Sequence, residues 1–143
     1  MRPMSRKWSI QKDATMKMIQ AIALALVLGG AAAAQAEQPL QRTDLIRNDI
    51  DVPGHEAIQV RVDFAPGVLA PKHSHPGEEI AFVIEGTLEY QLEGAEPVTL
   101  KAGQSLFIPS GVVHSAKNIG SGKASELATY IVRKGETLVV PAK

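Results

Sequence analysis

Beyond residue 36 the chain reads as a succession of short strands. Ile58-Gln-Val60-Arg-Val62-Asp-Phe64 alternates apolar and polar residues without a break, the period-two pattern of a half-buried strand. Ala65-Pro66-Gly67 ends it. Ile80-Ala-Phe-Val-Ile84 is a continuous apolar run bounded by charge, which predicts a strand buried on both faces. Thr87 to Leu92 alternates again and runs into the turn text Glu93-Gly94-Ala95-Glu96. Val98 and Leu100 begin a returning strand, Leu106-Phe107-Ile108 forms another, and Pro109-Ser110-Gly111 halts it. Gly120-Ser121-Gly122-Lys123 is a loop before a strand from Leu127 to Val132. Close-set short strands with almost no helical period predict an all-β sandwich or barrel.

The N-terminal text has a different character. Lys17 precedes the apolar run Ile22 to Leu28, which dilutes into glycine and alanine and ends at Gln35-Ala36. A basic segment, an apolar segment and an Ala-x-Ala site in that order read as a secretory signal peptide over residues 1–36, with Met16 as an alternative start. Ser5-Arg6-Lys7-Trp8-Ser9-Ile10 faintly resembles a twin-arginine export signal, with lysine in place of the second arginine. The expected domain is then residues 37–143, periplasmic or secreted, with no stable membrane anchor after cleavage. The chain has no cysteine, so that domain must hold together through its core alone.

Removing the leader changes the charge. The whole chain is formally neutral; taking five of 15 basic and one of 15 acidic groups away with residues 1–36 leaves 10 and 14, a net of −4. A mildly acidic surface with no basic run argues against nucleic acid or anionic membranes as partners.

The chemistry concentrates in two segments. Three of the four histidines are His73, His75 and His114. In an extended segment, residues two apart point the same way, so His73 and His75 share a face. Glu79 returns to the same spot across Pro76-Gly77, whereas Glu78 is one residue too early and faces the opposite side, as a solvated charge. Imidazoles with a carboxylate suit iron, manganese, nickel, copper or zinc better than calcium or magnesium. His55, after Pro53-Gly54, reads as an exposed loop histidine.

Gly67-x5-His73-x-His75-x3-Glu79-x6-Gly86 and Gly103-x5-Pro109-x-Gly111-x2-His114-x3-Asn118 meet ten specified positions in order. In these two segments the chain resembles the cupin superfamily, as a small single-domain member. The resemblance implies a single jelly-roll β-barrel, a double-sheet sandwich. It also implies one divalent transition metal (Fe, Mn, Ni, Cu or Zn) held by His73, His75, Glu79 and His114. Gly67, Gly86 and Gly103 fall at strand junctions, and Pro109 and Gly111 shape the bend that aims His114 inward. Asn118 reads as a structural tie between loops.

Three imidazoles and a carboxylate leave positions open for substrate. The leading expectation is a metal-dependent enzyme of dioxygenase or oxidoreductase type acting on a small organic molecule. Glu79 would be both ligand and catalytic base, and Val83 and Phe107 would line an apolar pocket. Within the motifs only Lys72 and Lys117 add cationic charge, and both read as solvated. A redox-neutral isomerase or lyase using Tyr90 or Glu79 as base, and a non-enzymatic periplasmic metal or small-molecule binding module, are the alternatives. The apolar run Ile80–Ile84 further predicts a covered outer face, by a second copy in a homodimer or by the segment Leu45–Val52.

Overall fold

The computed structural model describes residues 39–143; the leader expected over residues 1–36 lies outside them. Ten strands are present among the described residues, all paired antiparallel. In chain order they are β1 (Leu40–Asp49), β2 (His55–Phe64), β3 (Leu69–Ser74), β4 (Gly77–Glu85) and β5 (Thr87–Leu92). Then follow β6 (Val98–Lys101), β7 (Ser105–Ile108), β8 (His114–Asn118), β9 (Ala124–Arg133) and β10 (Val140–Pro141). One five-stranded sheet has the order β1-β2-β9-β4-β7, and the other β10-β3-β8-β5-β6. The result is the expected all-β, double-sheet jelly roll.

The inner faces follow from side-chain alternation. On β2, Ile58, Val60, Val62 and Phe64 are buried, while the residues between them are partly exposed. β9 is the central strand of the first sheet and contributes Glu126, Ala128, Tyr130 and Val132 to the same interior. The second sheet answers with Leu88, Tyr90, Leu100 and Ala116. Asn118 is fully buried: its Nδ2 donates to the carbonyls of Phe64, Ala65 and Gly122, and its Oδ1 accepts from the Gly120 N–H. That one amide ties β8 to the end of β2 and to the following loop. Gly86, between β4 and β5, needs its lack of a side chain twice over. Its φ is 77°, and a Cβ there would lie 2.7 Å from the Ala124 Cα.

Strand β4 departs from the expectation of burial on both faces. Glu79, Ala81 and Val83 point inward and are buried, but Ile80 and Phe82 are 44% and 39% exposed. Phe107 of β7 sits opposite Ile80 and is 57% exposed, so these side chains form an apolar outer face. A continuous apolar run does not by itself say which face is covered. The segment Leu45–Val52 does not cover it either: β1 is separated from β4 by β2 and β9, and Leu45, Ile46 and Val52 are themselves exposed. His55 is not a loop residue but the first residue of β2, with its Nδ1 at 3.0 Å from the Pro53 carbonyl.

Candidate metal centre

Four side chains converge between the sheets, each delivered by a different local device. His73 lies on β3 directly opposite His114 on β8. His75 stands in the bend between β3 and β4, and Glu79 is the first inward carboxylate of β4. The candidate ligand atoms of His73, His75 and His114 all lie within 4.8 Å of one another. Glu79 closes the set, its Oε2 being 3.0 Å from His75 Nε2 and 3.2 Å from His114 Nε2. His75, Glu79 and His114 are buried and His73 is partly so, whereas Glu78 is exposed. Neither Glu78 nor His55 lines the cavity beside this cluster.

The tautomers follow from the hydrogen bonds. His73 Nδ1 lies 2.6 Å from the Pro71 carbonyl, His75 Nδ1 2.6 Å from the Leu138 carbonyl, and His114 Nδ1 3.0 Å from the Val112 carbonyl. A carbonyl only accepts, so in each ring Nδ1 carries the proton, and in the neutral ring the lone pair is on Nε2. Those lone pairs are what a metal takes, and the carbonyls are the outer partners that fix ring orientation.

The inner atoms bear the mark of a cation site. His75 Nε2 and Glu79 Oε2 are within ion-pair distance, yet both are buried and neither makes a hydrogen bond of good geometry. Two electron-rich atoms facing each other in a buried site are costly unless a positive charge lies between them. Burial pushes the Glu79 carboxyl upward, but the closeness and charge of the His114 and His75 rings outweigh it and hold the group down at about 2. His73 is lowered chiefly by burial; His114 is raised, because burial is outweighed by Glu79, the Val112 carbonyl and Glu126 together. The donor set, three imidazoles and a carboxylate, fits a divalent transition metal.

The walls differ from those expected. The inner cavity holds about 20 Å³ of free space, room for about one water. Beside His73, Glu79 and His114 it is lined by Arg42, Tyr90, Glu126 and Tyr130 among apolar Leu40, Val62, Ala70 and Ala116. Neither Val83 nor Phe107 takes part: Val83 is fully buried in the core, and Phe107 faces outward. Tyr90 donates its hydroxyl proton to Glu126, and burial followed by the Glu126 charge drives its pKa far upward, so it stays a phenol and is no base. Burial, then the charge of Glu79, pushes Glu126 up to about 7. Arg42 donates from Nη2 to the Tyr130 hydroxyl at 3.2 Å, and its guanidinium carbon is 5.9 Å from the centre of that ring. A second cavity of about 250 Å³ shares Leu40, Arg42, Ala70 and His73 with the inner one and is lined also by Lys72, Val139 and Pro141. A larger open recess of about 730 Å³ near Gln91, Glu93 and Lys143 contains none of the four converging residues.

Arg42, Glu126, Tyr130 and the Leu138 carbonyl are contributions that the motifs do not mark. For Glu126 there was a signal: stepping back by two from Tyr130 and Ala128 puts it on the inner face.

Known proteins agree with this architecture. The family described as Cupin domain matches residues 60–130. Germin-like protein subfamily 2 member 1 of Arabidopsis thaliana is 40% identical over 91 residues, covering 58% of this chain and 42% of that protein. Oxalate oxidase GF-3.8 of Triticum aestivum is 33% identical over 110 residues, covering 69% of this chain and 48% of that protein. The chain therefore spans less than half the length of these curated relatives. Among solved structures, DMSP lyase DddQ from Ruegeria pomeroyi DSS-3 superposes with a TM-score of 0.61 at 26% identity, over 80% of this chain and 57% of that one. With the family match, both motifs intact and a double-sheet jelly roll around the histidine cluster, the chain belongs to the cupin superfamily.

Proposed function

We propose that this cupin is a metal-dependent enzyme of oxidoreductase type acting on a small organic molecule, with His73, His75, Glu79 and His114 as the metal ligands. The observation that carries the reading is the pair of buried, unpartnered atoms His75 Nε2 and Glu79 Oε2, set among imidazoles whose lone pairs converge. A divalent metal supplies a Lewis acid there and, if iron, manganese or copper, one-electron chemistry. The chain's own residues do the rest. Backbone carbonyls hold the three rings, Glu79 is ionised at neutral pH and so able to ligate a cation, and the tight inner space admits only a small reacting group. Similarity to an oxalate oxidase over about half that protein's length supports the redox assignment.

The test is elemental analysis of the purified protein, followed by oxygen uptake with a panel of small organic substrates. Near-stoichiometric metal and oxygen consumption that vanishes in His75→Ala are expected. Full turnover with zinc under strict anaerobiosis would replace the oxidase with a redox-neutral lyase or isomerase, a reading favoured by the likeness to a DMSP lyase. Stoichiometric metal with no turnover across the panel would leave a binding module. The leader-like text of residues 1–36 supports export to the periplasm or medium. The apolar outer face of Ile80, Phe82 and Phe107 supports a homodimer, to be read by sedimentation.

A further inference from the structure

We propose that Arg42 is the anchor for the carboxylate of a small anionic substrate, a role that rests on the metal-centre reading above and extends it to substrate class. Arg42 comes from β1, outside the matched family segment and outside both motifs. It lines both the inner cavity and the wider mouth, together with Leu40, Ala70 and His73. Arg42 thus stands where the two cavities adjoin, beside His73.

Three observations aim that group. Tyr130 orients it from below: one Nη2 proton goes to the Tyr130 hydroxyl, and the guanidinium stands beside the ring. Tyr130 packs in turn on His75, with ring centres 4.6 Å apart, so the arginine is one aromatic ring away from the metal ligands. Among the described residues Tyr130 is its one hydrogen-bond partner, which leaves most of its five N–H donors to offer. A planar fork of donors matches a carboxylate. Lys72 on the same mouth adds a second positive charge.

The size of the space narrows the class. The inner cavity accepts about one water's volume, while the mouth offers about 250 Å³. A short carboxylic acid fits this taper, its anionic head on Arg42 and a small reacting group inward. The bulkier tetrahedral phosphate is a poorer match to the narrow inner space. A neutral amide of the same shape lacks the charge that Arg42 pairs with.

The experiment is calorimetric titration of the full protein at low salt with acetate, glycolate, acetamide and inorganic phosphate, in wild type, Arg42→Gln, Arg42→Lys and Tyr130→Phe. Cobalt(II) uptake, read from visible absorption, tests the metal centre separately, and the titrations report on Arg42 whether or not cobalt is taken up. The expected result is carboxylate binding well above that of acetamide or phosphate. It should weaken about 10- to 100-fold in Arg42→Gln, less in Arg42→Lys, and less again in Tyr130→Phe, with cobalt uptake unchanged in all three. Equal carboxylate affinity in wild type and Arg42→Gln would overturn the proposal. So would phosphate or acetamide binding as tightly as acetate.

Discussion

Replacing Glu126 by glutamine should remove a defined part of the pH dependence of stability. Glu126 is 5% exposed on β9, accepts the Tyr90 hydroxyl proton, and shares its cavity with the Glu79 carboxylate. Burial, then the Glu79 charge, raises its pKa from 4.5 to about 7 in the folded protein, against the lowering effects of Tyr90, Arg42 and His114. Between those values the native state holds a proton that the unfolded chain has released. Stability from this group is therefore fully present below pH 4.5 and is lost as pH rises through 7. About 2.5 pH units at about 1.4 kcal/mol each amount to about 3 kcal/mol.

The assay is urea denaturation of metal-free wild type and Glu126→Gln from pH 4 to 8. Titrating groups remote from the site act equally on both proteins, so the difference between them reports Glu126 together with the Glu79 and His114 groups it is coupled to. Glu79 works in the opposite sense and in another window, contributing stability above pH 4.5 that is lost as pH falls toward 2. At pH 4 the two proteins should be close, because glutamine can still accept from Tyr90. By pH 8 the wild type should have lost about 3 kcal/mol relative to the variant. A constant difference across the range, or a wild type that gains on the variant as pH rises, would refute the reasoning. Metal on Glu79 offsets the charge that raises Glu126, so the step should shrink when the protein is loaded.

Two further perturbations probe the scaffold. Gly86→Ala forces a side chain onto a φ of 77° and into the Ala124 backbone, so thermal or urea denaturation should record a loss of at least about 2 kcal/mol; a neutral result would mean that this junction relaxes freely. Ending the chain after Thr137 removes the Leu138 carbonyl that holds His75 Nδ1, and chelator competition should record about 10- to 100-fold weaker metal binding. Leu138→Ala, which keeps that carbonyl, should bind metal nearly as wild type, and equal loss in both variants would assign the effect to packing.

Local chemistry was readable from the sequence, and distant chemistry was not. Residues at short spacing on extended chain, such as His73, His75 and Glu79, reveal their common face through strand geometry alone. The fixed text before His114 and Asn118 placed those two through their motif. Arg42 enters the site because β1 pairs with β2, setting it level with Val62, and Val62 in turn with Glu126. Nothing local in the text of β1 encodes that register. Leu138 contributes a backbone carbonyl, which has no side-chain signature at all. The run Ile80–Ile84 misled for another reason: both of its faces are apolar, and only packing against the core decides which is inside.

The residues outside the motifs give this cavity its chemical bias. Its two carboxyls are driven apart, Glu79 down to about 2 beside the imidazoles and Glu126 up to about 7 by burial. Below neutral pH, Glu126 is thus a neutral wall, while both phenols in the cavity are raised well above their usual value, mainly by burial, and stay protonated. One anion remains on the inside, and it is the one in contact with His75 and His114. A divalent metal there more than offsets that charge, and Arg42 and Lys72 add two more cations at the mouth. The balance of charge along the entry path then favours an anion going in.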